Sequence, residues 1–144
     1  MTPLKIAIII IRLALGGLFI YAGIQKFIPK PPKPQSEATV ELPPNVVTIK
    51  AYIGGLKQTG YFWPMLGVAE LAAGILLVSQ YLSLLGAVLL LPVTFNIFMF
   101  HLFLKPNDVP DLLMSVLYLL GNLAIIGWYY PKFKNVLLNF KTIY

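Results

Sequence analysis

The sequence predicts an all-α fold: a polytopic membrane protein built as a four-transmembrane-helix bundle, with a short amphipathic helix in the first loop. Three observations carry that reading. The chain is 58% hydrophobic and only 11% charged, with a mean hydropathy of +0.81. A soluble domain of 144 residues would need a polar surface that this composition does not supply. The apolar residues gather in four long runs, and about 20 apolar residues cross a hydrocarbon core. Prolines and short polar links punctuate the runs, leaving one domain over residues 1–144.

The first span covers about residues 4–28. Its apolar stretch from Ile6 is too long for a signal-peptide core, and no small-residue cleavage site follows it cleanly, so it reads as a retained span. Ala14, Gly16, Gly17, Ala22 and Gly23 would let another helix approach closely. Lys26 at its far end can reach toward the interface, and Pro29 ends it. Residues 29–45 are rich in proline, which forbids regular helix and predicts an irregular or polyproline-like loop outside the bilayer.

From residue 46 to about 59 the pattern changes. Val46, Ile49, Ile53 and Leu56 recur at helical spacing, with Lys50, Lys57 and Gln58 elsewhere on the wheel. Asn45 offers an N-cap and Gly60 a stop, so a short amphipathic helix on the membrane or over the bundle is expected. The second span, about 61–80, opens on the aromatic cluster Tyr61, Phe62 and Trp63, residue types that favour the headgroup level. A very short link then forces a tight antiparallel hairpin with the third span, about 83–104, where Pro92 predicts a kink. The fourth span, about 111–130, leaves the membrane through Trp128, Tyr129 and Tyr130.

Composition also narrows function. Without cysteine, the chain has no disulfide relay, thiolate metal site or iron–sulfur ligation of its own. The net charge of +6 comes mostly from lysines flanking spans, which fits anionic headgroups and topology rather than nucleic acid. The lysine tally on the two sides is nearly even and does not fix orientation.

The residue in the least favourable place is Glu70, inside the second span, because a carboxylate in hydrocarbon is costly and marks a functional position. Its expected partner is Arg12, the only arginine, inside the first span. Arg12 lies seven residues past Lys5, and Glu70 ten residues before Gln80, depths of roughly 10 and 15 Å from the same face. Asn122 reaches a similar depth from the other side. Arg12, Glu70 and Asn122 are therefore expected to form one buried polar cluster. Two roles fit it. The cluster either fixes helix register by pairing charges or serves as a ligand or proton site.

A second constellation gathers at the opposite face. Gln25 and Lys26 end the first span, Tyr61 and Trp63 open the second, Asn96 and His101 lie on the third, and Asp111 begins the fourth. This reads as a polar, aromatic-walled mouth over an apolar bundle, suited to an amphiphile such as a quinone or lipid. The plainer account is an interface belt in which Asp111 caps the last helix. His101 alone supplies neither paired haem ligation nor a metal-site spacing, so no metal is assigned. No phosphate loop or nucleophile elbow is present in the sequence, and no catalytic residue is assigned.

The segments RLALGGLFIYAGIQKF (12–27), GYFWPMLGVAELAAGILLV (60–78) and NIFMFHLFL (96–104) resemble the DoxX family of small four-helix membrane proteins. Its recurring arginine, small-residue turn before a lysine, and glutamate correspond here to Arg12, Gly23 with Lys26, and Glu70. The family takes its name from a subunit of a thiosulfate:quinone oxidoreductase, and the resemblance implies a bacterial inner membrane with both termini cytoplasmic. Thiosulfate oxidation itself is not implied, because the founding activity needs a partner subunit and this chain has no cysteine for sulfur chemistry. Two functional classes follow. One is an accessory, quinone-interacting subunit of a membrane oxidoreductase with a protein partner and no covalent cofactor. The other is a non-enzymatic module that binds a lipid or a partner protein.

Overall fold

A computed structural model of the chain describes residues 1–31 and 41–138, the last four as backbone. The described residues form five helices and no strand: α1 (Pro3–Gln25), α2 (Pro44–Gln58), α3 (Phe62–Val78), α4 (Ser83–Leu104) and α5 (Val109–Leu138). Most of the proline-rich loop expected over 29–45, and the tail beyond 138 with Lys141, lie outside them. Three helices, α1, α4 and α5, are long and apolar enough to cross a membrane. A multi-pass helical membrane protein is the result.

Each helix boundary has a local cause. Thr2 accepts a hydrogen bond from the Lys5 backbone N–H, and Pro3 occupies the first turn, where its missing donor costs nothing. α2 starts earlier than its pattern suggests: Pro44 sits in the first turn, and Pro43 rather than Asn45 is the cap, with no side-chain bond. Gly60 adopts φ +77°, a left-handed conformation that glycine enters without steric cost. There the chain turns by 88° from α2 into α3. Asp108, not Asp111, caps α5 by accepting from the Asp111 backbone N–H at 3.4 Å. α5 also continues past its aromatic belt, through Pro131 to Leu138. The donor missing at Pro131 strips the helical partner from the carbonyl of Gly127, an exposed residue, where the loss is tolerated.

The four long helices form a ring in which α1 packs on α3, α3 on α4, α4 on α5 and α5 on α1. Leu15, Phe19, Ala73, Leu77, Ala87, Leu90 and Ile125 make the centre. Buried among them are Arg12, Glu70, Ser83, Thr94, Ser115 and Asn122, while Ile10, Leu13, Val68, Ile75, Val88 and Leu117 face outward. Polar groups inside and aliphatic side chains outside is the arrangement a lipid solvent selects.

Glycines set how α1 and α3 meet. A Cβ at Gly23 would stand 2.8 Å from both the Gly67 carbonyl oxygen and the Leu71 nitrogen. One at Gly74 would stand 2.8 Å from the Gly16 carbonyl oxygen. Two glycines seven residues apart on each helix thus interlock antiparallel, Gly16 with Gly74 and Gly23 with Gly67, and fix the register. Of the small residues expected at this contact, Gly17 is not part of it, since nothing lies within 4 Å of its Cβ position.

α4 runs through Pro92 as continuous helix. Side chains supply bonds on either side of the proline: Asn122 Nδ2 donates to the Ala87 carbonyl at 3.0 Å, and Thr94 Oγ1 donates to the Leu91 carbonyl at 3.1 Å. Asn122 is completely buried and binds α5 to α4. Ser115 likewise satisfies itself on the Leu112 carbonyl.

Candidate functional site

The glycine register separates the three residues expected to cluster. Arg12 lies one turn before Gly16 and is level with the turn that joins α3 to α4, and it lines one cavity with Gln80. Glu70 lies ten residues up α3 from Gln80, about 15 Å away along the helix axis. The depth reckoning fails because it takes Lys5 as the membrane edge, whereas the first turns of α1 project beyond the α3–α4 turn. Arg12, Glu70 and Asn122 are each buried, at 7%, 3% and 0% exposure, but each has its own partners.

Glu70 pairs with Lys26. Lys26 Nζ donates to Glu70 Oε2 at 2.6 Å, with the two side chains 13% and 4% exposed. Lys26 follows the last turn of α1, and Gly23 lets α1 lie close enough to α3 for its side chain to fold inward onto the carboxylate. The same ammonium stands 5.2 Å from the centre of the Trp63 ring, and Lys57 of α2 stands 4.8 Å from it. Trp63 thus carries a cation near the ring on behalf of each of two helices.

A cavity of about 270 Å³ opens beside this pair, lined by Lys26, Glu70, Trp63, Tyr52, Phe100 and His101 among others. α2 supplies its roof. The half-buried residues of α2 include Val46, Ile49, Ile53 and Leu56, the stripe its sequence pattern shows. Tyr52 lies on the same stripe. Its hydroxyl accepts from Asn96 Nδ2 at 3.1 Å, and its ring meets Phe100 with centres 5.8 Å apart. His101 packs edge-on to Phe100, at 5.3 Å. Its Nδ1 lies 2.8 Å from the Ile97 carbonyl, which only accepts, so Nδ1 carries a proton, and in the neutral form of the ring Nε2 is the acceptor.

Not every residue of the expected mouth belongs to it. Lys26, Trp63, Asn96 and His101 line the cavity. Gln25 lines a larger open depression of about 790 Å³ next to it, with Lys26, Lys30, Lys57 and Trp63. Tyr61 is exposed, with its ring set edge-on to Phe62, and does not line the cavity. Asp111 points to the loop, where it shares Lys105 with Asp108, both at 3.0 Å. Those contacts hold Lys105 above its ordinary 10.5, first through the Asp108 hydrogen bond and then through that of Asp111. The Lys105 hydrogen bond likewise holds Asp108 below its ordinary 3.8.

At the other end Arg12 Nη1 donates to Ser83 Oγ at 3.0 Å and more weakly to the Tyr129 hydroxyl at 3.5 Å. The Ser83 hydroxyl in turn donates a hydrogen bond to the Ser79 carbonyl at 2.6 Å. Sequence reasoning missed Ser83, Tyr129 and Tyr52. For Tyr52 the signal is its position three residues after Ile49 and four before Leu56. For Ser83 and Tyr129 it is the matched glycine spacing on α1 and α3, which puts Arg12 level with the α3–α4 turn.

The DoxX family model matches residues 7–102, from α1 through nearly all of α4. No curated protein and no solved structure gives a significant match. With well over half its length matched, and with its apolar helices assembled around a buried ion pair, the chain belongs to the DoxX family of multi-pass membrane proteins.

Proposed function

We propose that the chain is an accessory, quinone-interacting subunit of a bacterial inner-membrane oxidoreductase complex. The observation that carries this reading is the aromatic-walled cavity beside the Lys26–Glu70 pair. Because the charges neutralise one another, the cavity suits an uncharged headgroup that exchanges hydrogen bonds. The His101 acceptor, the Lys26 ammonium and the Tyr52 hydroxyl provide both donors and acceptors for a quinone or quinol. In this reading a partner subunit supplies electrons and this chain positions the headgroup. Glu70 and Lys26 then serve as the proton-exchanging pair beneath it.

In this reading four spans cross the membrane. α3, with 17 residues, crosses as the fourth, and α2 lies near its surface, bent at 88° to α3. Both termini face the cytoplasm.

Trp63 reports on the site directly. With Trp128→Phe leaving Trp63 as the only tryptophan, a short-chain quinone should quench its fluorescence saturably in detergent. His101→Ala should weaken that binding roughly two- to tenfold, the worth of one hydrogen bond. Quenching that is linear in quinone and indifferent to His101→Ala would overturn the proposal.

A second reading has one observation in its favour: the pair is fully closed at 2.6 Å, as a purely architectural pair would be. The chain would then be a non-enzymatic module for a lipid or partner protein. Glu70→Gln separates the two readings. In the first it abolishes quinone-dependent turnover of the isolated complex while the bundle stays folded; in the second it changes stability alone.

A further inference from the structure

Among the described residues, the Arg12 end of the bundle carries cations and no carboxylate paired with them. The guanidinium has five donors, and among the described residues only the two on Nη1 have partners, both of them neutral hydroxyls. Its Nε is fully buried and makes no hydrogen bond. Among the described residues no carboxylate pairs with Arg12: Glu70 is taken by Lys26, Asp108 and Asp111 by Lys105, and the exposed Glu41, ahead of α2, makes no ion pair. Leaving a buried cation in this condition is costly.

Arg12 lines a cavity of about 180 Å³ together with Lys5, Ile8, Ile9, Gln80, Trp128, Tyr129 and Lys132. Three of those eight residues are cationic and none is acidic. Lys132 Nζ stands 5.6 Å from the centre of the Tyr129 ring, so Tyr129 has one cation over its face and another at its hydroxyl. Having accepted from Arg12, that hydroxyl keeps its own proton to donate. The Gln80 amide and the Trp128 indole add donors to the same lining. The whole set can donate to an anion, and the buried guanidinium is the group that requires one.

From this the geometry points to a binding site for a phosphate-type oxyanion, held by Arg12 with Lys5 and Lys132. Arginine's planar fork suits tetrahedral oxyanions, and a guanidinium–phosphate contact is charge-assisted. The rim of tryptophan, tyrosine and lysine is the composition of a headgroup level, so the oxyanion is either the phosphate of an anionic phospholipid or a free ion from the aqueous side. The site lies at the end of the bundle opposite the Lys26–Glu70 cavity and is independent of what that cavity binds.

The test uses the full chain, delipidated in a non-ionic detergent. Native mass spectrometry follows titration with phosphatidylglycerol, phosphatidylcholine serving as reference, and thermal melting follows titration with inorganic phosphate. One phosphatidylglycerol per chain, weakened about tenfold by Arg12→Gln and severalfold by Lys132→Ala, supports the site and names the lipid as its source. Stabilisation by inorganic phosphate that is absent in Arg12→Gln, with no lipid retained, supports the site and names the free ion. Should Arg12→Gln fail to fold, the Lys5→Ala/Lys132→Ala double variant decides, because both lysines are exposed. A double variant that binds phosphatidylglycerol and phosphate as the parent does would overturn the assignment, as would a parent that binds neither.

Discussion

The two ends of the bundle solve the same problem differently. At the α2 end the buried carboxylate and those of the α4–α5 loop each have a lysine: Glu70 has Lys26, and Asp108 and Asp111 share Lys105, while Glu41, exposed ahead of α2, pairs with none among the described residues. At the other end Lys5, Arg12 and Lys132 line one small cavity to which the described residues contribute no carboxylate. The first end is electrostatically closed, which on the proposed reading suits a neutral ligand that trades hydrogen bonds. The second is open and is completed by an anion from outside the chain. Burial alone therefore says little about role, since Glu70 and Arg12 are buried almost equally. What distinguishes them is whether the protein supplies the opposite charge.

The largest effect should come from breaking the closed end. Glu70→Ala leaves the Lys26 ammonium partly buried without its carboxylate, and breaking a buried pair from one side costs about 3–5 kcal/mol. The double variant Lys26→Met/Glu70→Leu, which removes both charges, should recover most of that loss. Equilibrium unfolding in mixed micelles measures both. A double variant as unstable as Glu70→Ala would mean that packing, not charge, accounts for the loss.

Next in size are the glycines that set the register, and they also separate the ends. At Gly23 an added methyl meets backbone on two sides, the Gly67 oxygen and the Leu71 nitrogen, both at 2.8 Å. At Gly16 the closest atom is Val78 Cγ2 at 2.7 Å, the tip of a side chain that can turn away, with the Gly74 oxygen at 3.0 Å. Gly23→Ala should therefore cost more than Gly16→Ala, with the former in the range of about 1–3 kcal/mol for overpacking. Gly23→Ala should also loosen Lys26 from Glu70, seen as a weaker response of Trp63 fluorescence to Glu70→Gln. Equal costs for the two substitutions would mean that α1 shifts as a rigid rod.

This contact also explains what could be read from the sequence. Local signals were legible. The Val46, Ile49, Ile53 and Leu56 stripe is half-buried as its spacing predicts, Gly60 stops α2, and α4 runs from Ser83 to Leu104 as expected. Pairing across helices was not legible from depth alone. An error of two turns in where α1 meets α3 moved Arg12 from the Ser83–Tyr129 end to the level of Glu70, and a lysine at a helix end proved a poor marker of the membrane edge. The i, i+7 glycines on both helices held the register all along, because antiparallel alignment of 16 with 74 and 23 with 67 is the one that brings all four backbones together. Arg12's hydroxyl partners stayed out of reach for another reason: Ser83 and Tyr129 have no charge to advertise a match.

A smaller effect is expected at the open end. Arg12→Met removes a buried cation together with one good hydrogen bond, while Ser83 keeps its bond to the Ser79 carbonyl. In anion-free detergent, stability should stay within about 1 kcal/mol of the parent, far from the loss in Glu70→Ala. Circular dichroism melts of the two variants side by side make the comparison. Equal losses would show that Arg12 has a counter-charge within the chain, and the contrast between the ends would collapse.

The smallest effect belongs to the Lys105–Asp108–Asp111 group, which lies in the α4–α5 loop at the closed end and is solvent-exposed enough for water to screen it. Asp108 is held below its ordinary 3.8, so its contribution is present above that value and is lost as pH falls through its lower folded value. Lys105 is held above its ordinary 10.5, so its contribution is complete below that value and is lost as pH rises through its higher folded value. Between those limits neither group changes charge. The difference in melting temperature between the parent and Lys105→Ala should then be flat from about pH 5 to about pH 9, and should shrink only in stronger acid or base. A difference that varied through neutrality would have to come from a group that titrates there. His101 is the only histidine in the chain and ends the same helix, so such a slope, abolished by His101→Ala, would tie the loop to the cavity. A flat profile leaves the loop pair as a fixed clasp between α4 and α5, separate from any proton exchange at Lys26 and Glu70.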